Sequence, residues 1–310
     1  MLKYITKRIL YALITIWVIA TITFFLMKAI PGDPFHNPKM PASVREALYN
    51  KYGFNQPTLK QYGMYIKNLA KGDLGISYKY EGRSVAKTIR DSFPKSFAIG
   101  WRAMLFSTTF GLLFGIIAAL KHQKPLDYLV ILIAIIGVSV PSMVLGPLLA
   151  YFFGVDLGWL PITVRQGNEL SMLLPSFTLG LGTLAFVARM MRSTTLEVLG
   201  NDYIQTAKAK GLSMPEIIRK HVVRNSVMPV VTVLGPLFAG IITGSIIIEN
   251  IFAVAGLGEY FVNTILEQDY SMIMGITLFY AILIITSVLV VDLAYGFIDP
   301  RLKVSSKGEE

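Results

Sequence analysis

The sequence predicts an all-α integral membrane protein with six transmembrane helices and both termini on the cytoplasmic side. Three observations carry that expectation. Of the 310 residues 54% are hydrophobic and 15% charged, against roughly a quarter charged in soluble domains, and mean hydropathy is +0.57. The apolar residues gather into six uncharged runs, each long enough to cross a hydrocarbon core about 30 Å thick. The short loops between the runs alternate, basic inside and nearly free of Lys and Arg outside, where 154–169 has only Arg165 and 249–271 has none, the pattern that sets orientation in a bilayer.

Taken in order, residues 9–27 form the first run, preceded by Lys3, Lys7 and Arg8. Its length exceeds a secretory signal core and no small-x-small cleavage site follows, so residues 1–30 are expected to be a retained helix with its N-terminus inside. Residues 31–95 read as an extracytoplasmic segment. Ser43 with Glu46, and Thr58 with Gln61, have capping-box spacing. Leu59, Tyr62, Ile66 and Leu69 keep helical period, so short amphipathic helices against the membrane or the bundle are expected. Residues 103–120, 128–153, 170–187, 227–248 and 272–291 supply the other five spans, the third interrupted by Pro141 and Pro147. Lys121, Lys124, Arg189 and Arg192 mark inner loops, whereas the loop at 249–271 holds Glu249, Glu259, Glu267 and Asp269 and no Lys or Arg. Residues 96–298 thus form a five-span core and 299–310 a cytoplasmic tail with Arg301, Lys303 and Lys307.

Within that core the inner loop at 192–226 contains a polar island, residues 201–225, between two spans. Asp202 and Gln205 have capping-box spacing, so a short helix is expected through Ala207, Lys208 and Ala209. Gly211 supplies a left-handed stop. Ser213 with Glu216 repeats the spacing and Pro215 falls in the first turn of a second short helix, which carries Arg219, Lys220 and Arg224. Two short basic helices around a glycine form a surface that another protein can approach.

Gln205-Thr206-Ala207 followed, after three intervening residues, by Gly211 resembles the Glu-Ala-Ala-x-x-x-Gly loop of ATP-binding-cassette importer permeases, with Gln and Thr replacing Glu and Ala. The wording from Tyr203 to Gly211 resembles that of the peptide-importing branch, as do Gly72-Asp73-Leu74-Gly75-Ile76-Ser77, Gly82-Arg83-Ser84-Val85, Pro31-Gly32-Asp33-Pro34, Ile248-Glu249-Asn250-Ile251-Phe252 with Gly256-Leu257-Gly258, and the ending from Val291-Asp292-Leu293 to Asp299-Pro300-Arg301. The resemblance covers almost the whole chain. It implies the type I importer permease fold, and a loop (Asp202, Tyr203, Gln205, Thr206, Ala207, Lys208, Ala209, Lys210, Gly211) that docks on an ATPase subunit. It also implies that Gly72, Asp73, Leu74 and Gly75 are where a substrate-delivering protein lands. The partners implied are a second homologous permease, two cytoplasmic ATPase subunits, an extracytoplasmic peptide-binding protein, peptide and membrane lipid, with no cofactor. Oligopeptide, dipeptide, nickel and glutathione permeases share most of these motifs.

Other chemistry is poorly supplied. There is no cysteine, hence no disulfide or thiol chemistry, and no metal-ligand cluster. No Gly-x-x-x-x-Gly-Lys-Ser/Thr phosphate loop is present. Gly137-Val138-Ser139-Val140 matches a loose intramembrane serine protease pattern, but the three histidines, His36, His122 and His221, all fall in loops, away from the base a serine nucleophile needs. The net charge of +10 lies largely beside the spans, which accounts for it without nucleic acid. Arg102 and Asp292 lie near span ends, where they either line a pathway or snorkel. An ion-coupled carrier is the alternative from a different class; it is expected to place charges deep in the spans, and these runs have none.

Overall fold

The computed structural model describes residues 2–31, 35, 41–80, 82–165 and 167–298, without the side chains of 2–5, 42 and 291–298. Asp292 as a side chain, His36, most of Pro31-Gly32-Asp33-Pro34 and the tail at 299–310 lie outside this set. The described residues are helical in order as α1 (Leu2–Ala29), α2 (Ala42–Tyr52), α3 (Thr58–Ala70), α4 (Val85–Leu120), α5 (Pro125–Ser139), α6 (Ser142–Ala150), a π turn (Tyr151–Asp156), a 3-10 turn (Glu169–Met172), α7 (Leu173–Leu199), α8 (Asp202–Ala209), α9 (Met214–Ile217), a second π turn (Ile218–Val222), α10 (Val223–Ile242), α11 (Ile246–Ile251), α12 (Leu257–Leu266) and α13 (Tyr270–Ile298). One isolated bridge, Ile76 to Ser84, is the sole β pairing among them.

Among the described residues five stretches are long and apolar enough to cross a membrane: Thr6–Ala29, Val85–Leu120, Glu169–Leu199, Met214–Ile242 and Tyr270–Val290. The third expected span is a broken pair, Pro125–Ser139 and Ser142–Asp156, bent by 110°. The cause is local. Val140 takes φ −88° and ψ 118° immediately before Pro141, because the proline ring crowds a preceding residue out of the helical region.

Several boundaries differ from the expected ones. The second span starts at Val85, eighteen residues before residue 103, and its 36 residues extend about 54 Å at 1.5 Å per residue. That exceeds the bilayer core, so one end of α4 projects into a region where Lys87, Arg90, Asp91 and Lys95 are tolerated. The fifth span ends at Ile242, followed by Gly244 at φ +91° and the separate α11. None of the expected capping boxes forms. Helices α2 and α3 are preceded by Pro41 and Pro57 with no side-chain cap, so Ser43 and Thr58 sit inside the first turn. The Gln61 amide reaches back to Phe54 O and Gln56 O at 3.2 and 2.7 Å. Leu59, read as part of the packed stripe of α3, is 76% exposed.

The described residues of Met1–Pro94 and Gly256–Ile285 make one compact unit, and those of Lys95–Ala255 and Thr286–Glu310 another. In the first, α3 packs on the C-terminal half of α1: Thr21 Oγ1 pairs with Tyr62 Oη at 2.8 Å, and Phe24 stacks on Tyr65. Val85, Ile89, Leu257, Met272 and Ile276 form its aliphatic core, and Phe35, Tyr52, Phe54 and Tyr78 an aromatic one. In the second, Val187, Met191 and Val230 join α7 to α10, and Pro175, in the first turn of α7, costs no helical bond.

Candidate functional site

The polar island folds as a compact hairpin. Helix α8 ends at Ala209 and Lys210, and Gly211 follows at φ +80°. The Gly211 N–H donates to Lys208 O at 2.9 Å and the Leu212 N–H to Ala207 O at 3.3 Å. These are the two bonds of a Schellman stop, which needs a left-handed residue at the position Gly211 occupies. The chain reverses and Ser213 takes up the N-cap position of α9, with Pro215 in its first turn. Ile204, Ala207, Ile217 and Val222 are buried together with Val198, and Leu212 packs against them. That private core holds the hairpin's shape.

Eight of the nine residues expected at an ATPase contact are exposed: Asp202, Tyr203, Gln205, Thr206, Lys208, Ala209, Lys210 and Gly211. Ala207 is buried at 6%, so its small side chain serves the hairpin's packing and not its surface. Exposed Lys208, Lys210, Arg219, Lys220 and Arg224 give the hairpin a basic character, with Asp202 at the start of α8, where the helix dipole favours a negative charge. Asn201, not Asp202, holds the N-cap position of α8, and its amide turns back to Glu197 O at 3.1 Å. Glu216 likewise spends its carboxylate on Lys220, 2.6 Å away, leaving Ser213 without its expected partner. The second helix is not separate: through the π turn at Ile218–Val222 it runs into α10. A displacement of the hairpin is therefore a displacement of a span. Tyr203 Oη accepts from Asn225 Nδ2 at 3.1 Å, and Thr194 Oγ1 donates to Ser226 O at 2.9 Å, tying both approaches to the hairpin at their bases.

A buried ion pair braces the same region; of its two members only Arg192 stood out in the sequence, as an inner-loop residue. Arg192, near the end of α7, holds Asp127 with Nε to Oδ1 at 2.6 Å and Nη2 to Oδ2 at 2.8 Å. The Asp127 side chain is 2% exposed and also accepts the Gln123 N–H at 2.9 Å, with His122 Nδ1 at 3.2 Å. Gln123 takes φ +60° to aim that N–H. The available signal was a single carboxylate in the first turn of a helix that follows a basic loop.

The Gly72 to Gly75 stretch is a second candidate surface. Gly72 (φ +79°) closes α3 with another Schellman stop: its N–H donates to Leu69 O at 2.9 Å, and the Asp73 N–H to Asn68 O at 3.0 Å. Gly75 takes φ +86°, and a Cβ there would meet Ser271 Oγ at 2.6 Å. Gly72 and Asp73 are exposed, whereas Leu74 turns into the core with Val85 and Met272. The loop is clamped from below by Asp269, fully buried, which accepts from Ser77 Oγ, from the Tyr78 N–H at 3.1 Å and from the Met272 N–H at 3.3 Å. Burial, with the Asp269 and Tyr52 charges added, pushes the Tyr78 hydroxyl well above its ordinary range. Tyr80 is raised chiefly by donating to Glu267 at 2.7 Å.

The remaining candidates are accounted for locally. Arg102 pairs with Glu169 and donates to Ala98 O at 2.8 Å. Ser139 is exposed at the far end of the 15-residue α5 from His122, about 22 Å of helix away, and His122 is engaged with Asp127.

Comparison with known proteins adds the following. Residues 111–304 match the family model of the binding-protein-dependent transport system inner membrane component, and residues 1–100 match the N-terminal model of such membrane components. Among curated proteins, the chain is 44% identical over 309 residues to the dipeptide transport system permease protein DppB of Bacillus subtilis, covering 99% of this chain and 100% of that one. It is 42% and 41% identical over 305 residues to the oligopeptide transport system permease proteins OppB of Haemophilus influenzae and Escherichia coli, covering 98% of this chain and 100% of each relative.

Proposed function

Because the chain belongs to the family of binding-protein-dependent transport system inner membrane components, we propose that it is the permease subunit of an ATP-driven importer of oligopeptides or dipeptides. The hairpin from Asp202 to Val222 is the observation that carries the mechanism. It is basic, rigidly cored and continuous with α10, which are the properties of a lever that a partner can push. The chain has no phosphate loop, so the energy of transport enters through partner ATPases seated on that lever. The chain itself is a transport subunit and not an enzyme.

In this reading the six-span topology places both termini and the hairpin in the cytoplasm of a bacterial cell, and the Gly72 to Gly75 loop outside. A second, homologous permease completes the pore. An extracytoplasmic peptide-binding protein docks near Gly72 and Asp73 and releases peptide into the cavity between the permeases. Closure of two ATPase subunits on the hairpins turns the cavity outward, and hydrolysis resets it. ATP drives the cycle only through a difference in how the closed and open ATPases bind the two arrangements. Asp127 and Arg192 hold the loop between α4 and α5 to the end of α7, so the hairpin moves with a braced base.

The test is to tag the chain in its host, extract it in mild detergent and identify by mass spectrometry what co-purifies in stoichiometric amount. A sister permease with ATPase subunits is the expected result. Recovery of the chain alone, under conditions that keep other such complexes intact, would contradict it.

A further inference from the structure

Within the first compact unit a cavity of about 570 Å³ opens beside the C-terminal end of α1, inside the roughly 300–1,000 Å³ range of small-molecule sites. Its walls place it at the level of one membrane face. Phe24, Met27 and Lys28 come from the last turns of the first span, and Tyr270, Ser271 and Met274 from the first turns of the last. A cavity lined by the end of one span and the beginning of another sits where hydrocarbon gives way to water.

The lining chemistry is that of an interface with an anion in it. Tyr52, Tyr65, Tyr78 and Tyr270 contribute to the walls, and tyrosine concentrates at headgroup depth because its ring is apolar and its tip polar. Among the described residues, three lysines, Lys28, Lys51 and Lys60, line the cavity against one carboxylate, Asp73. The Asp73 Oδ1 accepts the Gly75 N–H at 2.9 Å, so part of its acceptor capacity is spent on its own loop. Lys28 Nζ stands 4.1 Å from the centre of the Phe54 ring and Lys51 Nζ 5.5 Å from that of Tyr52, so both cations lie beside wall aromatics, Lys28 half-buried and Lys51 exposed. On α1, the span whose last turns line the cavity, Trp17, Ile22, Phe25 and Leu26 are between 41% and 57% exposed, apolar surface that acyl chains can cover.

We propose that this cavity binds the phosphate headgroup of an anionic phospholipid, with its glycerol inside and its chains along the exposed flank of α1. The phosphate is the shared chemistry of two sources, a lipid and free inorganic phosphate. The exposed apolar residues of α1, the span whose end forms a cavity wall, select the lipid. A peptide, the other ligand available to such a transporter, carries an ammonium as well as a carboxylate, and three lysines against one partly engaged aspartate oppose the ammonium.

The full-length chain, purified in mild detergent with whatever subunits stay bound to it, is supplied with equal amounts of phosphatidylglycerol and phosphatidylcholine, and retained lipid is counted by native mass spectrometry. The expected result is retained phosphatidylglycerol, preferred over phosphatidylcholine by about fivefold or more, the value of a single basic residue near a lipid phosphate. Lys28→Gln lowers retention and Lys28→Arg keeps it. The triple change Lys28→Gln, Lys51→Gln and Lys60→Gln abolishes the preference, while Lys121→Gln on another loop leaves it intact. Equal retention of the two lipids, or an unchanged preference in the triple variant, overturns the proposal. So does release of the lipid by millimolar inorganic phosphate, which would assign a free-phosphate site, or release by a peptide with a free carboxylate, which would assign a substrate site.

Discussion

Replacing Gly211 with valine isolates the hairpin turn from everything else in the molecule. A Cβ at Gly211 meets nothing within 4 Å, so the substitution brings no clash, and its whole cost lies in the backbone. At φ +80° an L-residue is disfavoured by roughly 1–2 kcal/mol, and β-branching adds to that. If the turn yields instead, the two Schellman bonds of Gly211 and Leu212 are lost at about 1 kcal/mol each, together with the packing of Leu212 against the hairpin's core. Either way about 2 kcal/mol acts on a surface hairpin. That is well under the 5–15 kcal/mol that holds a domain together, yet enough to shift a local equilibrium roughly thirty-fold. The Gly211→Val protein is therefore expected in the membrane at normal level, with peptide uptake and ATPase co-purification both strongly reduced. Asparagine tolerates the left-handed region better than other residues, so Gly211→Asn should lie between glycine and alanine, and valine below both. Uptake by Gly211→Val at the wild-type rate, with its ATPases bound, would refute the turn as the coupling element.

Other substitutions test the supporting contacts. Arg192→Met strands the Asp127 carboxylate, 2% exposed, and should cost about 3–5 kcal/mol, whereas Asp127→Asn, which keeps the shape, should cost less; thermal denaturation of the detergent-solubilised chain ranks them. Gly72→Ala and Gly75→Ala carry the same positive-φ strain, but only the second places a Cβ at 2.6 Å from Ser271 Oγ. Gly75→Ala is thus the more damaging in uptake assays, and Ser271→Ala added to it should recover the difference. Burial pushes the Tyr65 hydroxyl up to about 12 from an unfolded value near 10, so below pH 10 it contributes no pH dependence. Between about pH 10 and 12 the unfolded chain loses a proton that the folded one keeps, and stability falls with rising pH. Tyr65→Phe should flatten that limb of the melting-temperature profile. Because the Tyr65 hydroxyl is buried with no hydrogen-bond partner among the described residues, the same change should leave stability at neutral pH equal or higher by about 1 kcal/mol.

The features legible from sequence are those set by composition or by one residue's own backbone. Hydropathy located the apolar runs, and Gly211 announced its turn because no other residue adopts positive φ so cheaply. Pro141 marked where the third run breaks, but its 110° bend depends on how α6 packs afterwards. The start of α4 at Val85 was hidden by Lys87, Arg90, Asp91 and Lys95, since a helix that projects beyond the bilayer carries charges that read as a loop. The capping boxes failed for local reasons: Asn201 and Pro57 hold the N-cap one residue before Asp202 and Thr58, Pro41 two residues before Ser43, and Glu216 pairs with Lys220 instead of serving Ser213. What spacing cannot report is pairing across the chain. Asp127 meets Arg192 from 65 residues away and Ser77 meets Asp269 from 192. Both braces bear on the proposed docking surfaces, and their one local sign is the single carboxylate, Asp127, in the first turn of α5.

Peptide uptake into proteoliposomes that hold the chain with its co-purifying subunits tests the central claim most directly. It is measured with ATP inside the cytoplasmic compartment, and again with an ATPase subunit whose hydrolysis is blocked and an imposed proton gradient in place of ATP. Import that requires hydrolysis and ignores the gradient is the predicted result. Import that persists on the gradient with hydrolysis blocked would contradict the account and assign the chain to ion-coupled carriers.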